Sequence, residues 1–329
     1  MKKIWLLMLL VSLLIACSAK TEKISTAFYF WRTTFSLTQT EQQYLKDLDV
    51  KKLYIRYFDV ALQNNEAIPV APVVFNQKPS GYNIVPVVYI KNEVFLQNGA
   101  ADSLALKVYN YIQQINKSAD VSVNEIQFDC DWSLKSKKNY FQFIEDFKKL
   151  HPNLSATIRL HQIKYPEKTG IPSVKTGVLM YYNMGVINAG DDNSIYSQKT
   201  AKNYINSLQN YNLPLNVALP VFSWGVHVRS NQVTNLIGGL RVNDLKGDQF
   251  EKTRENRFKV VKDIVFKGRY LAKDDEIKIE AVSADQLKEM MHDIKKNSKH
   301  KPNEIIFYDL NENNLKAYEK EDFKTVSRW

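Results

Sequence analysis

Glu125-Ile126-Gln127-Phe128-Asp129-Cys130-Asp131-Trp132-Ser133 is the stretch that decides how the chain is read. Apolar and polar residues alternate along it, which is the period of a β-strand, where neighbouring side chains leave opposite faces. Ile126, Phe128 and Cys130 share one face, and Gln127, Asp129 and Asp131 share the other. Burying an ion costs several kcal/mol unless partners offset it. A strand with two carboxylates on its inner face therefore does not lie on an ordinary apolar core. It lines a polar interior and opens onto solvent at its end.

Outward from this stretch, apolar, β-branched and aromatic runs alternate with helical patterns. Strands are expected at 27–32, 52–58, 84–90, 125–131, 155–161, 177–183, 215–222 and 304–310, and helices at 40–48, 103–116, 138–150, 198–210 and 284–297. Ser283, with Gln286 three residues on, forms a capping-box pattern before the last helix. Eight strands with crossover helices point to an α/β fold, a (β/α)8 TIM barrel, spanning 26–329 as one domain. The segment 61–82 is Pro-rich and shows little helical pattern, and 225–281 is an enlarged insertion between strands seven and eight. Its second half has a strand–turn–strand pattern around Lys273-Asp274-Asp275.

In this fold the active site lies at the C-terminal ends of the strands. Asp129 and Asp131 sit there as candidate catalytic groups, because proximity of like charges raises one carboxyl toward the range of an acid catalyst. A second role is open to the pair, an ion-pair lock with Arg56 or Arg159 that holds the mouth together. Strand five adds Thr157, Arg159 and His161, strand six adds Tyr182 and Asn183, and strand eight adds Asp309. Trp31, Trp132 and Trp224 each fall at or just beyond a strand end, where an aromatic face suits the C–H patches of a sugar ring. Tyr182 joins Asp129 and Asp131 as a candidate catalytic group, and Trp31, Arg56, Gln127, Trp132, Arg159, His161, Asn183, Trp224 and Asp309 make up the candidate ligand-binding set.

The segment 126–133 resembles the strand-four signature of family 18 glycoside hydrolases, the chitinase-like barrels, whose pattern is D-x-x-D-x-D-x-E. Asp129 and Asp131 match its second and third aspartates and Trp132 the usual aromatic, while Ile126 replaces the first aspartate and Ser133 the glutamate. Met180-Tyr181-Tyr182-Asn183 is similar to the strand-six M-x-Y-D, Ala218-Leu219-Pro220-Val221-Phe222 to the strand-seven G-L-P-x-Y, and 305–310 to the last strand, with Tyr308 where a tryptophan is common. From Trp31 onward the chain also resembles barrel lipoproteins of Bacteroidetes-type bacteria. The resemblance implies a carbohydrate ligand whose acetamido group Asp131 and Tyr182 would orient. It also implies that the proton donor is missing, since a serine hydroxyl is far too weak an acid. Two functions follow: a carbohydrate-binding relative without hydrolysis, or a hydrolase in which Asp131, paired with Asp129, Glu312 or Asp309, supplies the acid.

The amino terminus carries Lys2 and Lys3, then an apolar run from Ile4 to Ala16 that is too short to span a bilayer. Leu14-Ile15-Ala16-Cys17 resembles the bacterial lipobox, which implies cleavage before Cys17 and acyl chains on its thiol. An ordinary secretory signal with a chance cysteine is the alternative. Residues 17–25 form a polar tether, and Ser18 in place of an aspartate favours the outer membrane by resemblance to lipoprotein sorting. Net charge is +10, with a dense basic patch at 295–301, which fits a solvated basic surface or contact with anionic glycans or lipid headgroups. No motif supports a nucleic-acid partner, the five histidines have no metal-ligand spacing, and no cofactor is expected. Cys130 faces the helices and reads as a small buried hydrophobe.

Overall fold

The computed structural model describes residues 24–97 and 103–329. Cys17, the apolar run before it and most of the tether lie outside the described residues. The eight runs become parallel strands: β1 (Ser25–Phe30), β2 (Lys52–Gln63), β3 (Asn83–Ile90), β4 (Ile126–Asp129), β5 (Leu154–Ile158), β6 (Thr176–Met180), β7 (Leu215–Pro220) and β8 (Glu304–Tyr308). Each pairs with its sequence neighbours, and β1 pairs with both β2 and β8, so the sheet closes into a barrel. Closure leaves no sheet edge in the barrel wall.

Helices α1 (Gln39–Asp47), α2 (Leu104–Ala119), α3 (Lys137–Leu150), α4 (Leu160–Lys164), α5 (Gln198–Ile205), α6 (Ala284–Asn297) and α7 (Lys320–Val326) flank the barrel. Helix α3 shows how the wall is built. It buries Tyr140, Phe143, Ile144 and Phe147, the spacing of one helical face. Phe128 on β4 meets Phe143 and Phe147 edge-on at 4.9 and 4.7 Å. Burying one such ring stabilises the fold by about 1.5–3 kcal/mol. Helices α1 and α6 both start in capping boxes, Thr38 with Glu41 and Ser283 with Gln286.

Two departures from the helical crossover pattern are explained by local chemistry. No helix follows β2; the strand runs on and folds back at Asn64-Asn65, both with positive φ, onto Glu66–Val70 as an antiparallel hairpin. Asparagine tolerates that conformation at little cost. Between β7 and α6 the chain builds a five-stranded antiparallel sheet, ordered Gln232–Gly238, Ser223–Arg229, Glu276–Ala281, Arg257–Val260, Phe250–Arg254. It has its own core, including Leu240, Leu245, Val260, Leu271 and Ile277. The two segments flanking Lys273-Asp274-Asp275 do not pair with each other. Arg269–Leu271 pairs with Ile264–Phe266, and Glu276–Ala281 enters the larger sheet.

Candidate functional site at the barrel mouth

The inner face of β4 is polar along its whole length, and the structure assigns each residue a depth. Gln127 is fully buried in the lumen. Its amide accepts from the Tyr29 hydroxyl at 2.6 Å and donates to Ser155 Oγ at 3.3 Å. At the opposite, N-terminal end of the strands, Lys52 bridges Glu125 and Glu304 at 3.3 and 3.0 Å. Gln127 is therefore a lumen residue, not one that meets a ligand. Two residues along a strand is about 6.6 Å, enough to separate the packed interior from the mouth.

Asp129 and Asp131 meet one guanidinium. Arg159 Nη2 lies 3.5 Å from Asp129, and its Nε donates to Asp131. Asp129 also accepts from Thr157 Oγ1 at 2.6 Å and is 4% exposed, whereas the Asp131 side chain is 50% exposed. Burial pushes the Asp129 carboxyl above its ordinary value, partly opposed by Arg159. Burial pulls Arg159 down, but the charges of Asp129 and Asp131 more than offset it, so the guanidinium is held charged. Asp129 is closed off as a structural lock, while Asp131 still opens on solvent. Of the two arginines expected to serve the pair, Arg56 is engaged elsewhere. It pairs with Asp59 at 2.7 and 2.5 Å across a bulge in β2 and lies 5.9 Å over the Trp31 ring.

Asp131 opens into a cavity of about 360 Å³ lined by Arg159, His161, Met180, Tyr182, Asn183 and Tyr204, among others. Strand β5 ends at Ile158, so Arg159 is the N-cap of α4 and His161 sits in its first turn. The strand alternation expected through 161 fails there, yet both residues reach the cavity because the helix starts at the mouth. Burial lowers the His161 imidazole and Asp131 partly opposes it, so His161 is a neutral ring near pH 7. Asn183 is exposed, with φ of 54°, a conformation asparagine accepts better than most residues. Tyr182 is buried, stacked on Tyr308 at 5.5 Å.

A row of aromatic rings crosses the mouth beside this cavity. Trp31 contacts Tyr308 at 5.3 Å, Tyr308 contacts Phe222 at 5.6 Å, and Phe222 contacts Trp224 at 5.1 Å. Trp31 and Trp224 are half-buried. Trp132 is not part of the row. It is 2% exposed, stacked on Tyr140 of α3 at 5.1 Å, and its indole N–H donates to the Thr169 carbonyl. The chain leaves β4 after Asp129 and turns Trp132 outward under the helices, so it cannot serve as a sugar platform. Tyr204 and Met184 line the mouth without having been candidates, since they come from a helix and a loop outside any motif, and Phe222, just past β7, carried a signal only as the last residue of the strand-seven motif.

Asp309, just past β8, lies apart from the aspartate pair. Its carboxylate accepts from Asn314 Nδ2 at 2.6 Å, and burial pushes it up to about 6. Stability from this group is fully present near pH 4 and is lost as pH rises through about 6. Asp309→Asn is therefore expected to raise unfolding stability at pH 8 by on the order of 2 kcal/mol, with the gain vanishing near pH 4. Denaturant titrations at the two pH values measure it.

Cys130 is buried, and burial pushes its thiol well up, which suits a packing residue rather than a nucleophile.

Solved structures bear on this geometry. The fold is similar to that of chitinase-like barrels. A GH18 chitinase from Cycas revoluta, crystallised in complex with (GlcNAc)3, matches with a TM-score of 0.56 at 10% identity over 92% of this chain and 98% of that one. The spore cortex-lytic enzyme SleL of Bacillus cereus matches at 0.55 with 12% identity, over 93% of this chain and 74% of that one. A chitinase-like agglutinin from Robinia pseudoacacia matches at 0.52 with 10% identity, over 92% and 98%. No protein-family model matches the chain, and no curated protein matches it in sequence.

Proposed function

We propose that this chain is an exported, lipid-anchored protein of the outer membrane that binds a carbohydrate bearing N-acetylhexosamine at its barrel mouth and does not hydrolyse it. The observation that carries this reading is the position of Arg159 between Asp129 and Asp131. A carboxylate paired with a guanidinium is a hydrogen-bond acceptor, not a proton donor. Ser133, where the resemblance has a glutamate, is bound up with its neighbours instead. Its N–H donates to Ser136 Oγ at 2.8 Å and to Asn92 at 3.3 Å. Asp309, whose carboxyl burial pushes up to about 6, is tied to Asn314.

What the mouth does offer is recognition chemistry. Asp131 supplies a half-exposed acceptor, Arg159 a fixed donor, and Trp31, Tyr308 and Trp224 apolar ring surface. The cavity size suits one or two sugar units. The neighbour crystallised with (GlcNAc)3 and the chitinase-like agglutinin support the carbohydrate half of the proposal.

Asp131→Ala is the direct test of the site. Affinity for N-acetylglucosamine oligomers, measured by calorimetry, should fall about ten- to a hundred-fold. Unfolding stability should change by less than about 1 kcal/mol, because the Asp131 end of the pair is solvated. Unchanged affinity would refute the assignment.

A further inference from the structure

The densest basic stretch of the chain, Lys295-Lys296-Asn297-Ser298-Lys299-His300-Lys301, carries no acidic residue. It runs from the last turn of α6 into the loop before β8. Helix-dipole complementarity accounts for cations at 295 and 296, but Lys299 and Lys301 lie beyond the helix. Several lysines at the same barrel end are matched, Lys51 with Asp49, Lys149 with Asp146 and Lys78 with Asp120. Lys295, Lys296 and Lys299 are exposed and join no ion pair among the described residues. Trp329 lies under Lys295 at 5.8 Å and adds an amphipathic ring to this face.

The chain enters the barrel beside this patch. The Ile24 N–H donates to the Ser327 carbonyl at 2.9 Å, and the Ser25 N–H and Oγ donate to the Asn303 carbonyl at 3.2 and 2.7 Å. These contacts fix the start of β1 at the N-terminal end of the strands, opposite Asp131 and Arg159. Six residues, and so seven Cα–Cα steps, separate Cys17 from Ile24. Fully extended, they reach about 25 Å at most. An acylated Cys17 would thus hold this end of the barrel, and not the mouth, near the bilayer.

We propose that the 295–301 face rests on the anionic headgroups of the anchoring membrane, so that the barrel stands on its N-terminal end and presents its mouth away from the lipid. This rests on the reading of Cys17 as the acylated residue. A lysine near an anionic surface strengthens association about five-fold, so the three unmatched lysines together are worth roughly a hundred-fold.

The test uses the full lipidated chain on vesicles of phosphatidylethanolamine and phosphatidylglycerol, and on vesicles of phosphatidylcholine alone. One surface cysteine is introduced at a time, His300→Cys or Lys135→Cys, the latter in the loop after β4; buried Cys130 stays unlabelled. Energy transfer to headgroup acceptors should be greater from position 300 than from 135. The gap should widen on anionic vesicles and fall back to its phosphatidylcholine value when Lys295, Lys296 and Lys299 are changed to Gln. Equal transfer from both positions on anionic vesicles, or a gap indifferent to the three substitutions, overturns the docking. Failure to float with phosphatidylcholine vesicles overturns the acylation of Cys17 instead. In that event the basic face is judged by sedimentation with anionic vesicles, expected to weaken roughly a hundred-fold in the triple variant. No sedimentation of the unaltered chain would overturn it.

Discussion

Arg159→Met is expected to lower the unfolding free energy by about 3–5 kcal/mol at neutral pH and to abolish glycan binding. The size follows from what remains behind. Asp129 would be left almost fully buried with a single neutral partner, the Thr157 hydroxyl, and an uncompensated buried charge costs that much. Burial already pushes the Asp129 carboxyl upward, and without the guanidinium it would rise further. The penalty should therefore be present at neutral pH and shrink on acidification, as Asp129 takes a proton in the folded variant. Adding Asp129→Asn should recover much of the stability without restoring binding, because Asp131 would still lack its fixed partner. Urea unfolding at two pH values, with calorimetry on the same samples, separates the two roles. A stability loss below about 1 kcal/mol would mean that the pair behaves as an exposed one.

The second large effect lies in the inserted sheet. Strand alternation along Glu276–Ala281 sends Ile277 and Ile279 into the second core and Lys278 and Glu280 to the other face. Both charged side chains are buried, 2.6 Å apart. Lys278 Nζ also donates to the carbonyls of Asn188, Gly190 and Asp192, at 2.8 to 3.0 Å. Glu280 accepts from the Ser194 N–H at 3.1 Å and the Trp224 indole at 2.8 Å. Burial pushes the Glu280 carboxyl up, but Lys278, Ser194 and Trp224 outweigh it and leave it below its usual value. The pair thus latches the loop between β6 and α5 to the insertion and holds Trp224 beside the mouth. Lys278→Met should cost about 3–5 kcal/mol and open the 185–193 segment to limited proteolysis. Combining it with Glu280→Leu should recover part of the loss, since an apolar pair removes the orphaned charge. Retained protease resistance in Lys278→Met would contradict the latch.

These two sites show where sequence reasoning works and where it stops. The barrel was legible because eight apolar runs alternate with helical patterns, and because the period-two pattern at 125–131 separates Phe128 from Asp129 in any register. The depth of each inward residue was not legible. Gln127, Asp129 and Asp131 look alike in sequence, yet they become a lumen group, a lock and a solvated acceptor. The difference arises from where β4 ends relative to its neighbours, a property of the ladder and not of the strand. Trp132 was expected at the mouth because it follows the strand end, but it keeps the parity of Phe128 and Cys130 and packs with them on the helix side. The choice between Arg56 and Arg159 also hung on tertiary contact. A bulge in β2 hands Arg56 to Asp59, three residues along. The Lys278–Glu280 latch gave no signal beyond two charges in an apolar strand, because its partners are backbone carbonyls some ninety positions away.

The central claim is binding without hydrolysis, and one measurement tests it most directly. The full chain is incubated with N-acetylglucosamine oligomers, and saturable binding and reducing-end release are followed in the same sample. The expected result is binding that depends on Asp131, with no release above the buffer control. Release of shorter oligomers that disappears in Asp131→Asn while binding persists would contradict it.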